Sequence, residues 1–221
     1  MKPSTSSPFN IIFDLDGTLI DSHPAIFESL KFALSAVGFC QDVSSSQVPI
    51  GPPLLQLIQS ITGTTDRSII DPIIFHFKSH YDSTGFASSC LFDGVYEFLS
   101  ALHEADFKLY IATNKRLVPA LRILKYFAID HFFEAIYAVD SSDGLFHSKS
   151  SMLKSLICKH SLVSNVLYLG DRLDDYEAAL ANSISFRFPC WGYSNERALF
   201  PSDTRGIDLC TVDDMRKIFL E

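Results

Sequence analysis

The stretch IIFDLDGTLIDS, Ile11 to Ser22, runs three apolar residues into two aspartates one residue apart, followed by Gly17 and Thr18. A short apolar run bounded by turn residues predicts a strand buried on both faces. In extended backbone, residues two apart project to the same side, so Asp14 and Asp16 share a face just past the strand. Gly17 permits a sharp turn away. Two like charges at such a place are either a solvated acidic turn or a site that needs charge.

Three further runs repeat the pattern. Leu109–Ala112 precedes Thr113 and Asn114, Ala135–Val139 precedes Asp140, and Val166–Leu169 precedes Gly170 and Asp171. Helical spacing lies between them. Val95, Phe98, Leu99 and Leu102 follow Asp93 and Gly94; Leu117, Leu121 and Leu124 follow Thr113. Leu153, Leu156 and Ile157 follow Lys149, and Ala178, Ala179 and Leu180 follow Asp175. Strand then helix, repeated, predicts an α/β fold with a Rossmann-like parallel sheet.

From about Pro24 to Cys90 the text is helical. Phe27, Leu30, Leu34 and Val37 form one stripe closed by Gly38, and Leu54, Leu57, Ile58 and Ile61 a second closed by Gly63. Asp71 and Pro72 read as N-cap and first residue of a helix over Ile73–Tyr81. No strand signal appears for about 65 residues, too long for one crossover. The prediction is a core domain of residues 1–22 and 91–221 with an inserted helical cap domain of residues 23–90. Such lids commonly open and close over a substrate. The IGPP stretch, Ile50–Pro53, breaks the helical pattern, and its stiff turn leaves backbone N–H groups free. Gly51 is therefore expected to face Asp14 and to bind substrate.

The bulk properties exclude several classes. Of the 221 residues 47% are hydrophobic and 20% charged, so the chain can build a packed core. A net charge of -8 argues against nucleic acid as a partner. Cys40, Cys90, Cys158, Cys190 and Cys210 are odd in number and show no CxxC spacing, as reduced thiols do. The N-terminal MKPSTSSPFN lacks the apolar segment of a signal peptide, and no apolar run approaches the ~20 residues of a membrane span. The expectation is a cytoplasmic protein, a monomer or weak dimer, with neither membrane nor nucleic acid as partner.

In an open α/β sheet, ligands bind outside the carboxyl ends of the strands. There the chain sets Asp14 and Asp16, Thr113 and Asn114, Asp140, and Asp171 with Asp175. Several uncompensated carboxylates within a few ångströms of one another would cost several kcal/mol. A divalent cation that prefers oxygen relieves them, and Mg²⁺ suits carboxylates combined with a phosphate. Lys149 is the basic residue placed to help.

FDLDGTLIDS, IATNK, the lone Lys149 and YLGDRLDD resemble, in order, spacing and strand-end placement, the four motifs of the haloacid dehalogenase-like phosphohydrolase superfamily. The resemblance covers nearly the whole chain. The helical insert, with IGPPL, LFDGVYEFLSAL and GDR, is similar to the phosphoglycolate phosphatase and 5'-nucleotidase branch with an α-helical cap. The resemblance implies a Mg²⁺-dependent phosphatase acting on a small phosphorylated metabolite through an aspartyl-phosphate. Asp14 would be the nucleophile and Asp16 the general acid–base. Thr113 and Asn114, with Gly17 in the first turn, would bind the phosphate, and Lys149 would offset charge on Asp14 and the phosphoryl group. Asp14, Asp171, Asp175 and the backbone carbonyl of Asp16 would hold the metal, Asp175 directly or through water. Two positions depart from the pattern: Ser150 follows the lysine where many relatives have Pro, and Asn182-Ser183 replaces a small Ala-Gly pair.

Other readings compete. Dehalogenases of the superfamily lack the second aspartate, which Asp16 supplies. Sugar-phosphate mutases carry a histidine where Ile26 stands. Phosphonate hydrolases use a cap lysine, and Lys31 is a candidate by location. A non-catalytic binding module would have lost one of Asp14, Asp16, Lys149 or Asp171, and none is lost. Asp140 and Asp174 read as turn and helix-start residues. His23 and Arg172 are candidates for substrate contact. His76 and His80 stand at i and i+4 without a third ligand and read as structural, and Trp191 and Tyr193 as packing at the sheet's end.

Overall fold

The computed structural model describes residues 10–39, 43–45, 48, 50, 53–141, 146–193, 200, 208–209 and 211. The chain divides into two compact units, Met1–Ile20 with Leu91–Glu221, and Asp21–Cys90.

Among the described residues the larger unit holds a six-stranded sheet. Its strands are β1 (Asn10–Phe13), β4 (Lys108–Thr113), β5 (Phe133–Ala138), β6 (Val166–Leu169), β7 (Ser185–Pro189) and β8 (Asp208–Leu209). A short pair, β2 (Ile20–Asp21) and β3 (Cys90–Leu91), forms a separate ribbon. The sheet order is β5-β4-β1-β6-β7-β8, and every pairing is parallel. The chain leaves β1 towards β4 on one side and returns to β6 on the other, which makes the carboxyl end of β1 a topological switch point. Register completes the arrangement: Phe13 lies opposite Ile111 of β4 and Leu169 of β6. The polar residues that follow these strands are thereby brought to one edge.

Helices cover both faces, as the solidly apolar strands require. They are α4 (Val95–Glu104), α5 (Leu117–Tyr126), α6 (Lys149–Lys159) and α7 (Leu173–Ala181). On one face Ile12, Tyr110, Ala112 and Tyr168 pack with Met152, Leu153 and Leu156 of α6 and Ala178 and Ala179 of α7. On the other face Phe13 meets Phe98 of α4 edge-on at 6.4 Å.

Several details differ from the sequence expectations. The buried stripe of α5 is Pro119, Ala120, Ile123 and Leu124, while Leu121 is exposed, as is Leu180 on α7. The third apolar run forms a strand two residues earlier than expected, at Phe133–Ala138. β7 was not foreseen, because Arg187 in its middle hides the apolar run.

The smaller unit holds α1 (His23–Ala36), α2 (Leu54–Thr62) and α3 (Arg67–Ser83). Leu30, Ala33 and Leu34 of α1, Leu57 and Ile58 of α2, and Ile70, Ile73, Phe77 and Tyr81 of α3 form its own apolar cluster. Gly63 ends α2 with φ 68°, a left-handed cap that suits glycine. The expected start of the third helix at Asp71-Pro72 is wrong. The helix begins at Arg67, capped by Asp66, whose carboxylate accepts from the Ser68 backbone N–H at 2.9 Å, and Pro72 lies inside it. Pro72 removes one donor from the helical ladder. The cap at Asp66 and burial of Ile70 two residues before Pro72 favour the longer helix. Gly51, expected to face the site, lies outside the described residues. Among the described residues no helix is long and apolar enough to cross a membrane.

Candidate active site

Asp14 follows β1 directly, and its backbone N–H donates to the Leu169 carbonyl of β6 at 2.8 Å. Its carboxylate is buried with those of Asp171 and Asp175, each offering an oxygen within 4.8 Å of the others. Asp171 comes two residues after β6, and Asp175 is the third residue of α7. Such a cluster of buried carboxylates is unfavourable by itself.

Lys149 provides the counter-charge. Ser148 caps α6 and accepts from the Ser151 N–H, so the helix begins at Lys149 itself. The buried ammonium donates to Asp14 Oδ1 at 2.7 Å and to the Ala112 carbonyl at 3.1 Å, and it meets Asp175 Oδ1 at 3.0 Å. Burial alone would lower its pKa, but Asp14 and Asp175 outweigh burial and raise it. Lys149 is charged throughout the physiological range.

One ammonium does not neutralise three carboxylates. Burial pushes Asp14 up to about 7 against the opposing pull of Lys149, with Asp175 adding to the rise. Asp171 is pushed up to about 8 by burial and by Asp14 and Asp175. Asp175 is raised by burial, held back by Lys149.

The two acids at the end of β6 differ in what they hold. Asp175 Oδ1 accepts from the Tyr168 hydroxyl at 2.7 Å and Oδ2 from the Arg172 N–H at 3.2 Å. Asp171 Oδ2 accepts from the Tyr193 N–H at 3.0 Å, while Asp171 Oδ1 is buried without a hydrogen-bond partner. An anionic oxygen left bare in the interior costs several kcal/mol. A bare carboxylate oxygen beside two further acids fits an oxygen-seeking divalent cation such as Mg²⁺.

Asp16 lies apart from this group. It receives Lys115 Nζ on both oxygens, at 2.9 and 3.0 Å. Gly17 turns the chain with φ 82°, and a side chain there would collide with the Asp171 carboxylate. Thr113 is buried at the end of β4, its hydroxyl accepting from the Lys115 N–H at 3.2 Å. Asn114 is exposed and donates to Asp174 Oδ2 at 3.0 Å. Asp174 also faces the Arg172 guanidinium at 3.4 Å.

Residues outside the cluster find other work. Asp140 accepts from the Leu117 N–H at 2.6 Å and so caps α5. In the smaller unit, His80 meets the Ser29 hydroxyl at 3.0 Å and stacks on Phe32, which ties α3 to α1. His23 reaches the Ser45 carbonyl at 3.2 Å. Lys115 and Tyr168 were not singled out in the sequence, and Trp191 and Tyr193 were read there only as packing at the sheet's end. Lys115 meets Asp16, the Tyr168 hydroxyl the Ala112 carbonyl and Trp191 the Thr18 carbonyl across 99, 56 and 173 residues, and no local spacing marks these pairs.

The haloacid dehalogenase-like hydrolase family matches residues 11–188. A 5'-nucleotidase of Pseudomonas aeruginosa is 34% identical over 192 residues, 86% of this chain and 86% of that one. Tyrosine-protein kinase PtkA of Mycobacterium tuberculosis is 31% identical over 96% of this chain and 72% of its own. A solved PtkA structure superposes with a TM-score of 0.77, covering 96% of this chain and 98% of that one. A haloacid dehalogenase-like family hydrolase of Streptococcus pneumoniae superposes with a TM-score of 0.81 at 25% identity, over 96% of this chain and 98% of that one. The chain belongs to the haloacid dehalogenase-like hydrolase family.

Proposed function

We propose that this phosphatase of the haloacid dehalogenase-like family requires Mg²⁺ and hydrolyses a small phosphate monoester through an aspartyl-phosphate. The observation that carries the reading is the buried Asp14 carboxylate at the switch point, with Lys149 at 2.7 Å and Asp171 and Asp175 beside it. Asp14 would attack phosphorus, forming an oxygen–phosphorus bond as the ester bond breaks. Asp16 would hand a proton to the leaving oxygen. It would then take one from the water that attacks the phosphoryl group and frees Asp14. Lys149 would hold Asp14 in line and offset the charge gathered on the phosphoryl oxygens. Thr113 and Asn114 would bind those oxygens, and Asn114 would exchange its bond to Asp174 to do so.

Asp14, Asp171 and Asp175, with the backbone carbonyl of Asp16, would hold Mg²⁺, which when bound supplies the positive charge that the carboxylates and the phosphate require. A group with a pKa of about 7 is half protonated at neutral pH, and a protonated Asp14 is no nucleophile. Added positive charge at the cluster keeps it ionised. Lys115 keeps Asp16 outside the cluster, which suits a separate acid–base role.

The likeness to a 5'-nucleotidase supports a small phosphate ester as substrate, of phosphoglycolate, nucleotide or sugar-phosphate type. The helical insert, residues 21–90, would serve as the cap that selects among them. The 31% identity to PtkA favours a second reading, phosphoryl transfer to an acceptor hydroxyl in place of water.

The test is turnover of a panel of phosphate esters by the purified protein. Activity should vanish with EDTA and return with Mg²⁺, with the phosphate released as inorganic phosphate. Undiminished turnover after exhaustive chelation overturns the metal-dependent reading. Label passed to a protein or alcohol acceptor, with none released to water, selects the second.

A further inference from the structure

The turn that follows β7 is tied to the active-site edge in three independent ways. The Tyr193 N–H donates to Asp171 Oδ2 at 3.0 Å. The Trp191 indole N–H donates to the Thr18 carbonyl, in the turn that follows Asp16, at 3.1 Å. Between them, Gly192 approaches so closely that a Cβ there would lie 2.5 Å from both the Asp171 Cβ and the Gly17 carbonyl oxygen. The turn is itself anchored. Gly192 N–H donates to the Pro189 carbonyl at 3.2 Å, and Cys190 N–H to the Leu209 carbonyl of β8 at 2.9 Å.

These contacts have a consequence for Asp171. Its Oδ2 is engaged by Tyr193, so the buried, unpartnered Oδ1 is the oxygen left for a cation. The same three residues also join the acid at the end of β6 to the loop after β1 that carries Asp16. A backbone donor and a glycine contact do this without adding a charge to a site that already has too many of one sign.

We propose that Trp191, Gly192 and Tyr193 are positioning residues: a strap that orients Asp171 for Mg²⁺ and pins the Gly17–Thr18 turn beside it. The inference rests on the metal-dependent reading above. Close packing against backbone leaves Gly192 no room for a methyl group, so Gly192→Ala must displace either Asp171 or the strap. Trp191→Phe keeps an aromatic ring but removes the indole N–H together with part of the ring's bulk.

The experiment measures Mg²⁺ binding by calorimetry on the full chain, alongside thermal melts in EDTA. Gly192→Ala should raise the Mg²⁺ Kd about tenfold or more, as losses of outer ligand support do, while the metal-free protein still folds. Trp191→Phe should lower kcat several-fold at saturating Mg²⁺ and leave the Mg²⁺ Kd within about twofold. Trp191 is the only tryptophan in the chain, so its emission reports on the strap alone. Mg²⁺ should shift that emission with the calorimetric Kd, and Asp171→Asn should abolish the shift. A Gly192→Ala protein that binds Mg²⁺ as tightly as the parent overturns the strap. Should that variant not fold, Trp191 emission unmoved by saturating Mg²⁺ in the parent overturns it instead. A parent protein that binds no Mg²⁺ refutes the metal reading and the strap together.

Discussion

The helical insert and the carboxyl edge of the sheet are stabilised by opposite means. In the insert, Leu30, Ile58, Ile70 and Ile73 are fully buried, and charged side chains such as Arg67 and Asp71 pair in solvent on one helix. At the sheet edge the buried groups are Asp14, Lys149, Asp171 and Asp175. Apolar burial stabilises without regard to direction. A buried ion cluster is stable only with each charge compensated at the right distance. The insert can therefore tolerate many apolar exchanges, whereas the edge depends on single atoms, and substitutions in the two regions should fail differently.

The largest effect is expected at the edge and is purely chemical. Asp14→Asn keeps the shape and removes the nucleophile, so turnover should fall on the order of 10⁴–10⁶-fold with no trapped phosphoenzyme. Because the amide cannot ionise, the metal-free variant should melt no lower than the parent above pH 7. Near-normal turnover would end the aspartyl-phosphate reading and with it the contrast.

Lys149→Met comes next. It strands Asp14 and Asp175 without their buried partner, and breaking such a pair from one side costs about 3–5 kcal/mol. Chemical denaturation of the metal-free protein should show that loss at pH 8, with less of it at pH 5 as the carboxylates take up protons. A pH-independent loss would mean that Lys149 acts through packing alone.

In the insert, Ile73→Ala should cost about 2–5 kcal/mol through lost burial and the cavity left behind. Unlike the lysine variant, its cost should be the same at pH 5 and pH 8, because no titrating group is involved. Proteolysis that cuts within residues 21–90 ahead of the sheet would locate the loss.

The last expected effect is a slope with pH. Asp14 and Asp171 have folded values of about 7 and about 8, above the ordinary 3.8. Between those limits the folded protein holds more protons than the unfolded chain, so stability falls as pH rises from about 4 towards 8. The slope is at most about 1.4 kcal/mol per pH unit for each carboxylate. Mg²⁺ should therefore raise the melting temperature more at pH 8 than at pH 6. An equal rise at both would show that the cation does not relieve these acids.

The sequence by itself determined where the chemistry begins. Ile11–Phe13, bounded by turn residues, read as a buried strand with Asp14 at its end. The order of the polar strand ends, the parallel sheet and the long helical insert followed from apolar periodicity, which is a local property. The tertiary structure alone decided how those ends meet. Lys149 and Asp14 are 135 residues apart, Lys115 and Asp16 are 99 apart, and Trp191 reaches Thr18 across 173. No window of sequence contains such a pair. β7 escaped because Arg187 interrupts it, and the early start of α3 because Pro72 looks like a beginning until the Asp66 cap and the burial of Ile70 are seen. Periodicity reports which face of an element is buried. Partnership depends on which elements the crossovers make neighbours, and only the assembled sheet supplies that.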